Sequence, residues 1–316
     1  MITPFFILFG LMATGFVSRK LRWLDSSKND GIGNIVMNIA FPCLLFISII
    51  EIQVKGKILA DFLLMTLLSA ASFCLYALLA LVFIKFANVP VRLRGTVQLS
   101  MLTSNNAFMG IPIVMAFFNK QGIILMVANN LAMAGIVFSY GTLILKRDKA
   151  FGDHTVSKES QPVLSFLRQI LNPMILAIII GLFVSITEFY IPDALASLLS
   201  VLGSLATPLS MIYIGATLYG STFSSLIRDP LVFGAATVRL TIFAGITYAI
   251  LWLLPISLIM KQIFLLIITL PSAAIVPVVS AQYGPGGEEA VKIVVLSTLL
   301  SLITTPLGVY IALNFL

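Results

Sequence analysis

Charge is what this sequence has least of. Only 10% of its 316 residues are Asp, Glu, Lys or Arg, against about 25% in an ordinary soluble chain. Hydrophobic residues make up 59% and the mean hydropathy is +1.09. So few polar side chains cannot cover a water-facing surface, which excludes a soluble globular protein and makes the lipid bilayer the chain's solvent partner. Histidine occurs once, at His154 in a polar stretch, which excludes a histidine-built metal site or a Ser-His-Asp triad within the membrane. The two cysteines, Cys43 and Cys74, lie in apolar runs without CxxC spacing. They are expected to be small buried hydrophobes, not a redox or metal pair. GxSxG, HExxH and paired intramembrane carboxylates are all missing, so the chain is not expected to be an enzyme, and neither a cofactor nor a metal is expected. Acids are also missing at mid-depth: Glu51, Asp61, Glu188 and Asp193 fall near the ends of apolar runs. That argues against a carboxylate proton relay and against a sodium site built around a buried acid.

What is present is a series of apolar runs of bilayer-spanning length. A spanning helix takes roughly 20 residues, and ten segments are expected near 3–18, 31–50, 62–84, 96–118, 122–145, 170–190, 195–220, 231–254, 261–283 and 290–314. The first run has no basic residues before it, and Arg19-Lys20-Leu21-Arg22 comes after it. That is the polarity of a first helix with its N-terminus outside, not of a cleavable signal peptide. The formal net charge of +7 does not point to nucleic acid, because the basic residues sit in short loops between apolar runs. Fourteen of the 19 Lys and Arg fall on one side of the ten-segment arrangement and four on the other: Lys55, Lys57, Lys120 and Lys261. Arg239, inside the eighth run, is the remaining one. The positive-inside rule then places both termini outside and the central polar stretch in the cytoplasm, with a bacterial inner membrane as the expected location.

That polar stretch, residues 146–169, divides the chain into residues 1–145 and 170–316, five segments each. Corresponding breakers recur in the two halves. Pro4 and Pro173 are 169 apart, Pro42 and Pro208 166 apart, Pro112 and Pro277 165 apart, and Gly122 and Gly287 165 apart. Ordered, nearly equal offsets indicate a duplicated five-helix unit, and an odd number of crossings turns the second copy upside down. The expected fold is therefore all-α, ten transmembrane helices in two inverted repeats. Secondary transporters are often built this way and bind substrate near the midplane, where broken helices meet.

The fourth and ninth segments carry the sequence of broken helices. One reads Thr103-Ser104-Asn105-Asn106 and runs on to Gly110-Ile111-Pro112; the other reads Pro271-Ser272-Ala273-Ala274-Ile275-Val276-Pro277. Proline removes a backbone donor and clashes with the preceding turn. Consecutive polar side chains in hydrocarbon require a cavity or a partner helix. Asn105, Asn106, Pro112, Pro271 and Pro277 are accordingly candidate substrate-binding positions; interhelical packing is the competing reading. Arg239 lies about 13 Å into its segment at 1.5 Å per residue, and its planar fork suits a carboxylate. Alternatively, it ties backbone carbonyls together. Asn38 and Asn130 are further polar groups at plausible depth, and each could equally serve as interhelical glue.

At these residues the sequence resembles the auxin efflux carrier family, with its bacterial malate- or malonate-permease-like members and the plant PIN exporters. The resemblance runs along nearly the whole chain. It rests on Asn34-x3-Asn38-x3-Pro42-x-Leu44-Leu45-Phe46, on Asn106-x3-Gly110-x-Pro112, and on Pro271 to Pro277. It implies a fold shared with sodium–bile acid symporters: a scaffold of segments 1, 2, 6 and 7, and a transport domain of segments 3–5 and 8–10. It further implies fourth and ninth helices crossing at their prolines, elevator-type movement and a homodimer. The expectation is a secondary carrier of a small organic anion such as a mono- or dicarboxylate. An anion channel and a non-transporting receptor or scaffold are the alternatives.

Overall fold

A computed structural model describes residues 2–52, 56–118, 120–152, 173–219 and 223–316. Every regular element among them is helical. The main helices are α1 (Ile2–Lys20), α2 (Ser27–Glu51), α3 (Gly56–Phe86), α4 (Val91–Phe117), α5 (Gln121–Lys149) and α6 (Pro173–Thr187). They continue with α7 (Asp193–Leu218), α8 (Pro230–Leu253), α9 (Leu258–Thr269), α10 (Val276–Tyr283) and α11 (Gly287–Asn314). Each expected segment overlaps one of them, the ninth being divided between α9 and α10. Seven, namely α2, α3, α4, α5, α7, α8 and α11, are long and apolar enough to cross a membrane. The helices also turn large apolar side chains outward, Phe6, Leu67, Phe183 and Ile303 among them. Lipid in place of water makes that surface favourable.

Two sequence-based expectations change. The fifth helix does not end before Lys146: helical structure continues through Gly152, so the central stretch begins later, and residues 153–172 lie outside the described residues. The cysteines are not both buried, since Cys43 is half-buried and Cys74 exposed on α3. An apolar run facing lipid accepts a thiol on its outer face as readily as in its core.

The helices fall into two compact units. The first comprises Met1–Thr66, Ala107–Leu131 and Ile170–Ser221, and so gathers α1, α2, α6 and α7 with the starts of α3 and α5 and the second half of α4. Its packing depends on glycine. A Cβ on Gly15 would strike the Ile212 backbone, and one on Gly215 would strike the backbone of Met12, so α1 and α7 touch main chain to main chain. Gly203 lets α7 approach the Leu44 backbone of α2 in the same way. Without a hydrophobic driving force between helices in lipid, such close approach is how dispersion contacts accumulate. An aromatic column of Phe41, Phe108 and Tyr213 fills the space beside them, with centroids 5.7 and 4.9 Å apart. Asp25 caps the start of α2: its carboxylate accepts the Lys28 N–H at 2.9 Å and pairs with the Lys28 ammonium at 3.2 Å. These bonds, the backbone one first, hold its carboxyl below the usual range.

The second unit comprises Leu67–Asn106, Ala132–Gln169 and Thr222–Leu316. An apolar cluster of Leu99, Val137, Ile144, Leu145, Val276 and Val279 joins α4, α5 and α10. Polar bonds thread it throughout: Gln98 donates to the Ala77 carbonyl at 3.0 Å, and Tyr76 shares a 2.8 Å bond with Thr247. Asp148, buried on α5, accepts the Gly95 N–H at the first turn of α4's regular α-helical stretch.

Candidate functional site at two interrupted helices

α4 and the α9–α10 pair are both broken; Pro271 falls in the second break, whereas Pro112 and Pro277 fall in neither. The α-helical first half of α4, Arg94–Leu102, stops before an irregular Thr103–Asn105; a wide π turn over Asn106–Gly110 then leads into Ile111–Phe117. α9 stops at Thr269, and α10 begins at Val276. Pro112 and Pro277 each sit at the opening of the resumed helix, where a missing N–H costs nothing. Pro112 and Pro277 start second halves, whereas Pro271 lies in the gap after α9.

A helix end in hydrocarbon must satisfy its last carbonyls without water, and here the two ends satisfy each other. Ser272 Oγ donates to the Ser100 carbonyl at 2.6 Å, and the Asn105 N–H donates to the Pro271 carbonyl at 2.8 Å. Thr103 Oγ1 turns back to the Leu99 carbonyl at 2.9 Å. Thr304 and Thr305 of α11 donate to the Thr269 carbonyl at 3.2 and 2.9 Å, and Ser297 Oγ accepts the Ser272 N–H at 3.1 Å. Arg239, at 0% exposure, completes the junction. Its Nη1 donates to the Leu270 carbonyl and its Nη2 to Ser104 Oγ at 2.6 Å, while Nε has no partner.

The expected site residues therefore divide. Asn105, Asn106, Pro271 and Arg239 share the second unit, and Asn105, Pro271 and Arg239 meet at this junction; Asn106, wholly buried, follows directly, its N–H donating to the Ser104 carbonyl at 2.8 Å. Pro277 opens α10 in the same unit, half-buried. Pro112, Asn38 and Asn130 belong to the first unit. Asn38 is exposed and donates to the Asn34 carbonyl one turn back, at 3.0 Å. Asn130 is buried, with its amide nitrogen unpartnered. Sequence reasoning missed Ser297 and Asp148. Nothing marks Ser297 on an apolar helix, and Asp148 sits within Lys-Arg-Asp-Lys, which reads as a solvated loop. The first unit also holds a cavity of about 480 Å³, lined by Ser48, Glu51, Ser200 and Ser204 over apolar side chains. It offers one carboxylate and no basic group. Among the described residues no cluster of His, Cys, Asp and Glu could hold a metal.

A family model described as "membrane transport protein" matches residues 1–309. An uncharacterized transporter of Methanothermobacter thermautotrophicus is 20% identical over 94% of this chain and 93% of its own length. An uncharacterized transporter of Methanocaldococcus jannaschii is 23% identical over 96% of both. The mouse lysosomal cholesterol signaling protein is 24% identical over 67% of this chain, which corresponds to only 25% of that protein.

Proposed function

The chain belongs to the membrane transport protein family, the auxin efflux carrier family its motifs resemble, and on that premise we propose that it is a secondary carrier of small organic anions, mono- or dicarboxylates, working by elevator-type alternating access. The observation that carries this reading is the junction itself: two interrupted helices joined through buried, non-apolar backbone at Thr103–Asn105 and Leu270–Ser272. Irregular backbone is tolerated at membrane depth where it is buried in protein or lines a cavity, and transporters place substrate at such breaks. Asn105 and Asn106 supply amide donors for a carboxylate. The N-terminus of α10 has no side-chain cap, which leaves a positive dipole end for an anion. Pro112, Pro277, Asn38 and Asn130 are further candidates for substrate contact, and Arg239 holds the junction from α8.

In this reading all ten segments cross the membrane as two inverted five-helix repeats, residues 1–145 and 170–316. Segments 1, 2, 6 and 7 form a scaffold that dimerises, and segments 3–5 and 8–10 move. Both termini lie outside, and the loop within 146–169 lies in the cytoplasm, supported by the fourteen-to-four basic bias. A Ser157→Cys variant of a protein from which Cys43 and Cys74 have been removed is expected to resist an impermeant thiol reagent on intact cells. Labelling would reverse the orientation.

The transport reading is tested in proteoliposomes holding the full chain. Vesicles preloaded with unlabelled malonate, malate or lactate should transiently accumulate the labelled anion by counterflow. Flux without counterflow would make the protein a channel. Failure of every anion to move would count for a receptor role, the reading that the mouse signaling relative brings.

A further inference from the structure

We propose that Arg239 is a positioning residue: a charge clamp that neutralises the converging C-terminal ends of two half-helices and takes no part in binding the anion. The inference rests on the junction being the transport site. Three observations carry it. First, both Nη atoms are engaged where helices end. Leu270 directly follows α9, and Ser104 lies two residues beyond Leu102. Each helix C-terminus carries roughly half a negative charge, so two ends together offset about one guanidinium. Second, among the described residues no carboxylate pairs with Arg239, whose partners are the Leu270 carbonyl and Ser104 Oγ. A wholly buried cation without compensation would be strongly destabilising; the two helix ends supply the compensation. Third, the same half-helix carries the mirror-image device at its other end, where buried Asp148 accepts the Gly95 N–H. A nine-residue helix is too short to be stable alone. This one is bracketed by an acid from α5 at its positive end and a base from α8 at its negative end.

Only arginine fits the task. Its rigid fork reaches two acceptors on separate segments at once, and a lysine ammonium has no fixed spacing between donors. Arg239 opens a π turn of α8, Arg239–Phe243, a local widening often found at functional positions. The consequence for transport is specific. The guanidinium charge is offset locally, so substrate affinity depends on how well Arg239 holds Ser104–Asn106 and Pro271–Ser272 in register. It does not depend on attraction between Arg239 and the anion.

The test uses full-length Arg239→Lys and Ser104→Ala proteins in lipid nanodiscs and proteoliposomes. Hydrogen exchange should quicken in peptides covering 100–106 and 270–275, about tenfold for Arg239→Lys, which loses a charge-assisted bond, and less for Ser104→Ala. In an Arg239→Gln protein, which removes the charge, the KM for lactate, a monoanion at neutral pH, and for malonate, a dianion, should rise by the same factor. A larger rise for malonate would make Arg239 a direct ligand and overturn the proposal. So would unchanged exchange at the two breaks, or unchanged KM with only the folded yield reduced. If the wild type carries neither anion, exchange alone decides the clamp, and it is the anion reading that fails.

Discussion

The two units differ in what their main helix contacts rest on. In the first, the contacts between α1 and α7 and between α2 and α7 are made at glycines, where main chain meets main chain and few polar groups need partners. In the second, two helices stop at buried positions, and serine and threonine hydroxyls plus one guanidinium take up the exposed carbonyls. Continuous helices satisfy their own backbones, so their contacts can be chosen for closeness alone. Broken helices cannot, and each break recruits polar residues from several neighbours. A polar junction keeps backbone and side-chain donors and acceptors where a polar solute could meet them.

Substitutions that attack each kind of contact separate them. Gly215→Leu should have the largest effect. Even a Cβ there meets the Met12 backbone, so α1 must leave α7, at a cost near the top of the roughly 1–3 kcal/mol range for overpacking. Thermal unfolding in nanodiscs should show it, with exchange quickening in α1 and the breaks at 103–105 and 270–275 unaffected. An unshifted melting temperature would mean that the α1–α7 contact is not a packed one. Ser272→Ala should cost less, about 1–2 kcal/mol, because it strands the buried Ser100 carbonyl while leaving the Ser272 N–H on Ser297. Its exchange signature should be confined to the junction. Equal quickening in α1 would show that the two units unfold together and would dissolve the comparison.

Much of this was legible in the residues. Arg239 stood out as the one basic residue deep in an apolar run, and it is indeed wholly buried. The broken helices were legible because four polar residues interrupt one run and two prolines punctuate another. Their position was legible in part: the break after α9 falls on Pro271–Pro277 as expected, whereas the irregular Thr103–Asn105 lies just before Asn106–Pro112. Proline suggested Pro112 and Pro277, yet both open resumed helices, because a residue without an N–H is tolerated in a first turn. Asp148 was illegible for a different reason: its neighbours are charged, and only the fold turns that one side chain inward to Gly95. Cys74 was misread because an apolar run does not say which of its faces meets lipid.

The sequence by itself determined the solvent, the helices and their breakers, since these follow from local composition and from the backbone chemistry of proline. Only the tertiary structure decided what completes each break. The partners of Arg239 lie 31 and 135 residues away, and the Ser272 hydroxyl reaches a carbonyl 172 residues away. A hydroxyl on an apolar helix looks the same in sequence whether it bonds its own preceding turn or a distant helix end. The difference arises only when packing brings an unsatisfied carbonyl within about 3 Å, where no water can take the place of the donor.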